Sequence, residues 1–168
     1  VSFPYASGQS PFYYAHKSTG RPSRPTDREF TSKFREVPHA ALYPFGHGLS
    51  YSPVSYSPVR LSSPTVTRDG SVTASVTLTN GGRHDASEVV QLYIRDRVAS
   101  ITQPVRLLKA FERVTVPAGG SVQVSISLPA SDLSFLGADL RPTLEPGLFD
   151  VWLASSAQTG EPAQLTLV

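Results

Sequence analysis

Thirteen carboxylates, four histidines and one tryptophan are the side chains here with the chemistry to build a site. Paired-carboxylate hydrolysis needs two carboxyls held ~5–9 Å apart across a substrate. Asp69, Asp85, Asp96, Asp132, Asp139 and Glu145 instead fall where strands turn, and each reads first as a turn or cap former. No spacing suggests a pair, and loops at opposite ends of a sandwich cannot supply one. His16, His39, His47 and His84 include no pair at i, i+4 and no acidic cluster beside them, which argues against a zinc site. With no cysteine there is no disulfide, thiolate metal site or cysteine nucleophile. A serine elbow would read Gly-x-Ser-x-Gly, whereas Gly48-Leu49-Ser50 runs on to Tyr51 and Ser52. No glycine-rich phosphate loop precedes a helix. The sequence therefore names no catalytic, cofactor-binding or metal-ligating residue, and it implies no cofactor.

Trp152 is the remaining candidate. In Phe149-Asp150-Val151-Trp152-Leu153 the apolar Phe149, Val151 and Leu153 share one face of a strand, so Trp152 points to the other. It either packs beneath another part of the chain or a neighbouring domain, or stands exposed as a platform for stacking on sugar. Packing is the favoured reading.

The elements around it are strands. Val72, Ala74, Val76 and Leu78 alternate with Thr73, Ser75, Thr77 and Thr79, and Val122 to Leu128 repeats the pattern. Val89 to Ile94 is apolar on both faces except at Gln91, as in a central strand. Leu107–Val116, Leu140–Leu144, Leu148–Leu153 and Leu165–Val168 complete seven or eight short strands. Asp69-Gly70 and Gly81-Gly82 read as tight turns using positive φ, and Glu145-Pro146-Gly147 as a type II turn. Pro117-Ala118-Gly119-Gly120 breaks a further pair. One short helical turn is expected over 130–136, with Ser131 as its cap. With 15 Pro and 12 Gly and no helical segment between turns, the chain reads as an all-β, immunoglobulin-like antiparallel sandwich.

Residues 1–50 differ from the rest. They show neither period, yet hold Phe3, Tyr5, Phe12, Tyr13, Tyr14, Phe30, Phe34, Tyr43 and Phe45. Disordered tails are poor in aromatics, so these rings are expected to be buried against the following domain or a missing one. The anchor is expected between Tyr43 and Tyr51, where Gly46 and Gly48 allow a tight path and Phe45 and Tyr51 pack on the sandwich. The net charge of +2 is local: residues 1–40 hold six basic and three acidic residues. Acids and prolines interrupt that surplus, which argues against nucleic-acid binding. No apolar run approaches the ~20 residues of a membrane span. The chain has no methionine, so Val1 is not a natural translation start, and a processed product or a piece of a longer protein is expected.

Tyr43-Pro44-Phe45-Gly46-His47-Gly48-Leu49-Ser50-Tyr51 resembles the junction motif of family 3 glycoside hydrolases, the β-glucosidases and β-xylosidases. There it stands where the second catalytic domain passes into a C-terminal fibronectin III-like domain. Thr79-Asn80-Gly81, Val89-Val90-Gln91-Leu92-Tyr93, Leu107-Leu108-Lys109-Ala110-Phe111-Glu112-Arg113-Val114 and Glu145-Pro146-Gly147-Leu148-Phe149 follow in the family's order. Gly8-Gln9-Ser10-Pro11-Phe12-Tyr13-Tyr14 and Thr19-Gly20-Arg21-Pro22 are similar to bacterial periplasmic members. Ala15 stands where Asn is common and Ala110 where Gly is common, and Pro117-Ala118-Gly119-Gly120 replaces the usual Pro-Gly-Glu. The resemblance implies a linker arm over 1–50, the tail of a preceding catalytic domain, and a fibronectin III-like sandwich over 51–168. It implies a non-catalytic module of a retaining β-glycosidase, periplasmic or secreted, with the catalytic barrel and α/β domains as partners. The family's catalytic residues lie before the first residue here, so none carries over. Self-association through the arm is a further expectation, and a stand-alone carbohydrate-binding or adhesion sandwich is the alternative.

Overall fold

The computed structural model describes residues 2–10, 13–17, 34 and 36–168. Phe12, Phe30, the Thr19–Pro22 motif and most of the basic surplus lie outside the described residues. In chain order the strands are β1 (Val54–Tyr56), β2 (Arg60–Leu61), β3 (Thr65–Val66), β4 (Ser71–Asn80), β5 (Ala86–Asp96) and β6 (Leu107–Val116). They continue with β7 (Ser121–Pro129), β8 (Phe135–Leu136), β9 (Pro142–Thr143), β10 (Gly147–Ala154) and β11 (Ala163–Leu167). Seven of these have three or more residues: six are strands that the pattern marked, and β1 is the seventh.

Two sheets form the sandwich. In the smaller one, β4 pairs with β7 along one edge and with β1 and β2 along the other. The larger runs β3-β11-β10-β5-β6, and β8 and β9 make a separate hairpin. All pairings are antiparallel except β11 with β3, a parallel contact that the sequence pattern did not announce. Between the sheets, Val72, Val76 and Leu78 of β4 and Val124 and Leu128 of β7 meet Val90 and Leu92 of β5. Phe149, Val151 and Leu153 of β10 complete that layer. The alternation of β4 thus resolves as expected, with its threonines and serines turned to solvent.

The turns depart from the expected chemistry in several places. Gly70 and Gly82 do not use positive φ. A Cβ on Gly70 would stand 2.9 Å from Thr67 Oγ1, and one on Gly82 would meet Ser52, so both are glycines for want of space. Gly147 is already in β10, paired with Leu167, and no type II turn forms at Glu145-Pro146-Gly147. Gly119 does adopt positive φ, at 64°. The helical turn is a single 3-10 turn, Ala130–Leu133, without a side-chain cap, so Ser131 does not cap it. The expected strand at 140–144 shrinks to Pro142–Thr143. Leu140, at φ 60°, closes a turn through its amide to the Gly137 carbonyl instead.

Asn80 ties the crossing between the sheets. Its carboxamide donates to the carbonyls of His84 at 2.8 Å and Val116 at 3.0 Å, and its oxygen accepts from the Gly82 amide at 2.8 Å. The side chain is buried, and truncating it removes the donor to the buried Val116 carbonyl and the acceptor of the Gly82 amide, while the His84 carbonyl keeps the Ser52 hydroxyl. Asn80→Ala is expected to lower unfolding stability by about 2–4 kcal/mol. Urea titration checks this, and a loss under about 1 kcal/mol would show that the turn does not depend on it.

Candidate functional site

The outer face of the larger sheet holds a second, smaller core. Tyr93 of β5 and Trp152 and Ala154 of β10 pack there with Ala157, beneath Tyr14, Phe45 and Leu108. Tyr14 stacks on Phe45 with centroids 4.3 Å apart and meets Tyr93 edge-on at 6.2 Å. Trp152 is 6% exposed, so it is no platform for sugar stacking. It packs under the rest of the chain, as its place on the strand implied.

Gln91, the polar exception in β5, is the point of attachment. Its amide donates to the carbonyls of Ser155 at 2.7 Å and Gly46 at 3.2 Å, and its oxygen accepts from the Tyr93 hydroxyl. Gly46 sits at φ 81°, and a Cβ there would collide with the Gln91 carboxamide. Only glycine fits. Gly48, by contrast, has open space around it and no positive φ, so the tight path depends on Gly46 alone. The Ala157 amide donates to the Phe45 carbonyl at 2.9 Å, and the Val105 amide to the His16 carbonyl at 2.9 Å. Farther out, Gln9 accepts from the Tyr5 amide at 2.7 Å and donates to the Pro38 carbonyl at 3.2 Å. The anchoring of Phe45 is as expected, but that of Tyr51 is not. Its side chain is fully exposed, and it is Ser52 that is fixed, through its hydroxyl on the His84 carbonyl at 2.7 Å.

Arg106 closes this core at one side. Its guanidinium lies 4.3 Å from the Trp152 ring centroid and donates to the carbonyls of Thr159 at 2.8 Å and Gly160 at 3.3 Å. Burial lowers its pKa, opposed by Tyr93 and Glu161, but an arginine keeps its charge in a protein. Sequence reasoning missed Arg106. A lone arginine before a strand carries no local signal of the carbonyls it will meet some fifty residues on.

Residues 88–157 match the fibronectin type III-like domain family. The chain is 43% identical to the periplasmic β-glucosidase of Salmonella typhimurium over 91% of its length, spanning 20% of that relative. It is 33% identical to a β-xylosidase of Formosa agariphila over 99% of its length and 22% of the relative's. Among solved structures it superposes on the β-glucosidase of Listeria innocua with a TM-score of 0.91 at 34% identity, covering 99% of this chain and 23% of that one. The chain carries the fibronectin type III-like domain of family 3 glycoside hydrolases. It spans about a fifth of the length of the relatives it matches.

Within the fibronectin III-like domain several carboxylates hold backbone amides. Asp85 accepts from the Ala118 amide, Asp139 from Arg141 and Glu145 from Ser100. Asp150, buried on the outer face of β10, pairs with Arg97 at 3.1 Å. Among the described residues no three His, Asp or Glu side chains converge to hold a metal. An open cleft of about 500 Å³ lies beside the outer core, lined by Tyr13, His39, Arg95 and Arg106 among others.

Two outcomes test this arrangement. Arg106→Ala should destabilise the chain by about 1–2 kcal/mol, from the lost cation–π contact and the lost cover over the Trp152 ring. It should also red-shift the emission of Trp152, the sole tryptophan. An unshifted spectrum would show that Arg106 does not cover the ring. The second concerns Asp96, whose pKa is raised by burial, eased by the Val98 amide and pushed up again by Glu145. A folded pKa above the unfolded one means that the Asp96 charge costs stability at neutral pH, a cost relieved as pH falls through the folded value. Asp96→Asn keeps an oxygen for Val98, so it should raise the melting temperature at pH 7 and have no such effect near pH 3. Equal effects at both pH values would refute the electrostatic cause.

Proposed function

We propose that this chain is a non-catalytic structural module of a retaining β-glycosidase of the β-glucosidase or β-xylosidase type. On this reading residues 1–50 are the linker arm and 51–168 the sandwich. The arm leads from the catalytic domains and is fastened across the outer sheet face, and the sandwich stabilises those domains by packing on them. The observation that carries the reading is the near-complete alignment of the chain with about a fifth of each enzyme. The holding of backbone amides by Asp85, Asp139 and Glu145 accords with a module that has no catalytic residues of its own. The name of the Salmonella relative favours a periplasmic or secreted setting, and no described helix is long and apolar enough to cross a membrane.

The purified 168-residue chain is expected to show no turnover of aryl β-glucosides or β-xylosides, whereas the polypeptide of the complete gene hydrolyses at least one. Turnover by the 168-residue chain that disappears on mutating one of its own carboxylates would overturn the reading.

A further inference from the structure

Asn80 is the only asparagine of the chain, and a glycine follows it. That pair carries a chemistry that needs no enzyme. The backbone nitrogen after an asparagine, once it loses its proton, can attack the side-chain carbonyl carbon and expel ammonia. A five-membered succinimide forms, and water opens it to aspartate or isoaspartate. The sum is asparagine plus water giving the acid plus ammonia, with no oxidant or reductant. Asparagine is a thermolabile residue in general, and glycine is the least hindered carrier of the attacking nitrogen.

We infer that Asn80-Gly81 is a latent modification site, which the folded sandwich holds shut and which unfolding commits to irreversible conversion. Both reacting groups are tied down. The Gly81 amide donates to the Pro53 carbonyl at 3.0 Å, so the proton that has to leave is held. The Asn80 carboxamide makes the three bonds described above, and all of them have to break before its carbon can turn to the Gly81 nitrogen. The side chain is 1% exposed, which keeps base and water away. Pairing with Val54 and the bond from the Asn80 amide to the Gly120 carbonyl fix the backbone on either side. The product does not suit the same place. A carboxylate has no hydrogen to give the Val116 carbonyl, and it sets a buried charge against that carbonyl and the one of His84. Isoaspartate also lengthens the backbone by one carbon where β4 enters the turn. A molecule converted while open cannot close as before, so its inactivation runs one way.

The fold itself does not demand Gly81. Its φ is not positive, and a Cβ there would meet only Pro53, at an ordinary 3.8 Å. Gly82 has no such room, since a Cβ would stand 2.4 Å from the Ser52 hydroxyl oxygen. Alanine at position 81 therefore hinders the attack and leaves the folded turn as it is.

The 168-residue chain, incubated at mildly alkaline pH either folded or in urea and then peptide-mapped by mass spectrometry, tests this. Conversion of amide to acid at Asn80 is expected to be slower in the folded chain by about tenfold or more. Asp69-Gly70 can close the same ring, but it does so with loss of water and returns to the same mass, so the two are told apart. Gly81→Ala should slow conversion in urea several-fold, keep the wild-type melting temperature, and recover more native Trp152 fluorescence after cycles of heating. Asn80→Asp should melt well below the wild type. Equal conversion of the folded and urea-treated chains overturns the protection, and an Asn80 that stays intact in urea overturns the site. An Asn80→Asp chain that melts with the wild type shows that the product fits, and overturns the one-way step.

Discussion

Strands β5 and β10 carry apolar side chains on both faces, and a sheet built that way has to be covered twice. On one side the smaller sheet supplies the cover, through the layer that joins Leu78 and Leu128 to Leu92 and Phe149. On the other, the ring systems of Tyr93 and Trp152 would face water unless residues N-terminal to the sandwich lay across them. Each ring buries roughly 150–250 Å², and at about 25 cal/mol per Å² that is about 4–6 kcal/mol per ring as an upper estimate. A backbone hydrogen bond adds only about 0.5–1.5 kcal/mol net. Apolar burial therefore holds the arm down, and the bonds at Ala157, Val105 and Gln91 set its position.

That division of labour explains why Gln91 is polar within an otherwise apolar strand. A leucine there would bury as well, but it could not satisfy the carbonyls of Gly46 and Ser155, both brought against the sheet where β10 ends. Buried carbonyls without partners cost more than the extra apolar area returns. The Tyr93 hydroxyl closes the same network by donating to the Gln91 oxygen. Gly46 follows from it, since any side chain at that position would displace the carboxamide on which the network turns.

The fold was largely readable because period-two alternation is a local property. Val72 to Leu78 specify their facing whatever lies across the core, and the same parity placed Trp152 on the far face from Phe149. What escaped depends on residues distant in sequence. The turn glycines were assigned to positive φ, but Gly70 and Gly82 answer to the bulk of Thr67 and Ser52, which no dipeptide rule can see. Tyr51 was expected to pack beside Phe45 as an aromatic ring of the anchoring stretch. Yet the chain is fixed by the small Ser52, whose hydroxyl reaches a carbonyl 32 residues away. Arg106 was invisible for the same reason, since its partners are carbonyls of the loop after β10. The carboxylates were readable as turn formers in part: Asp85 and Asp139 hold amides, while Asp150 is paired within a strand.

The two outer faces divide the molecule by chemistry. The smaller sheet shows water a lattice of hydroxyls, and the larger sheet shows it almost nothing along the seam from Trp152 to Gln91. A sandwich that needed only to be stable could have made both faces polar, since one inner core of this size suffices for a domain of about 115 residues. Instead one face is given aromatic rings, a clamping arginine and a glutamine that accepts only one backbone path. Those features add little that an independent domain requires, but together they fix where the chain entering the sandwich must lie. Orientation of that entering segment is what the second core secures, and it does so with packing and shape rather than with any group able to do chemistry.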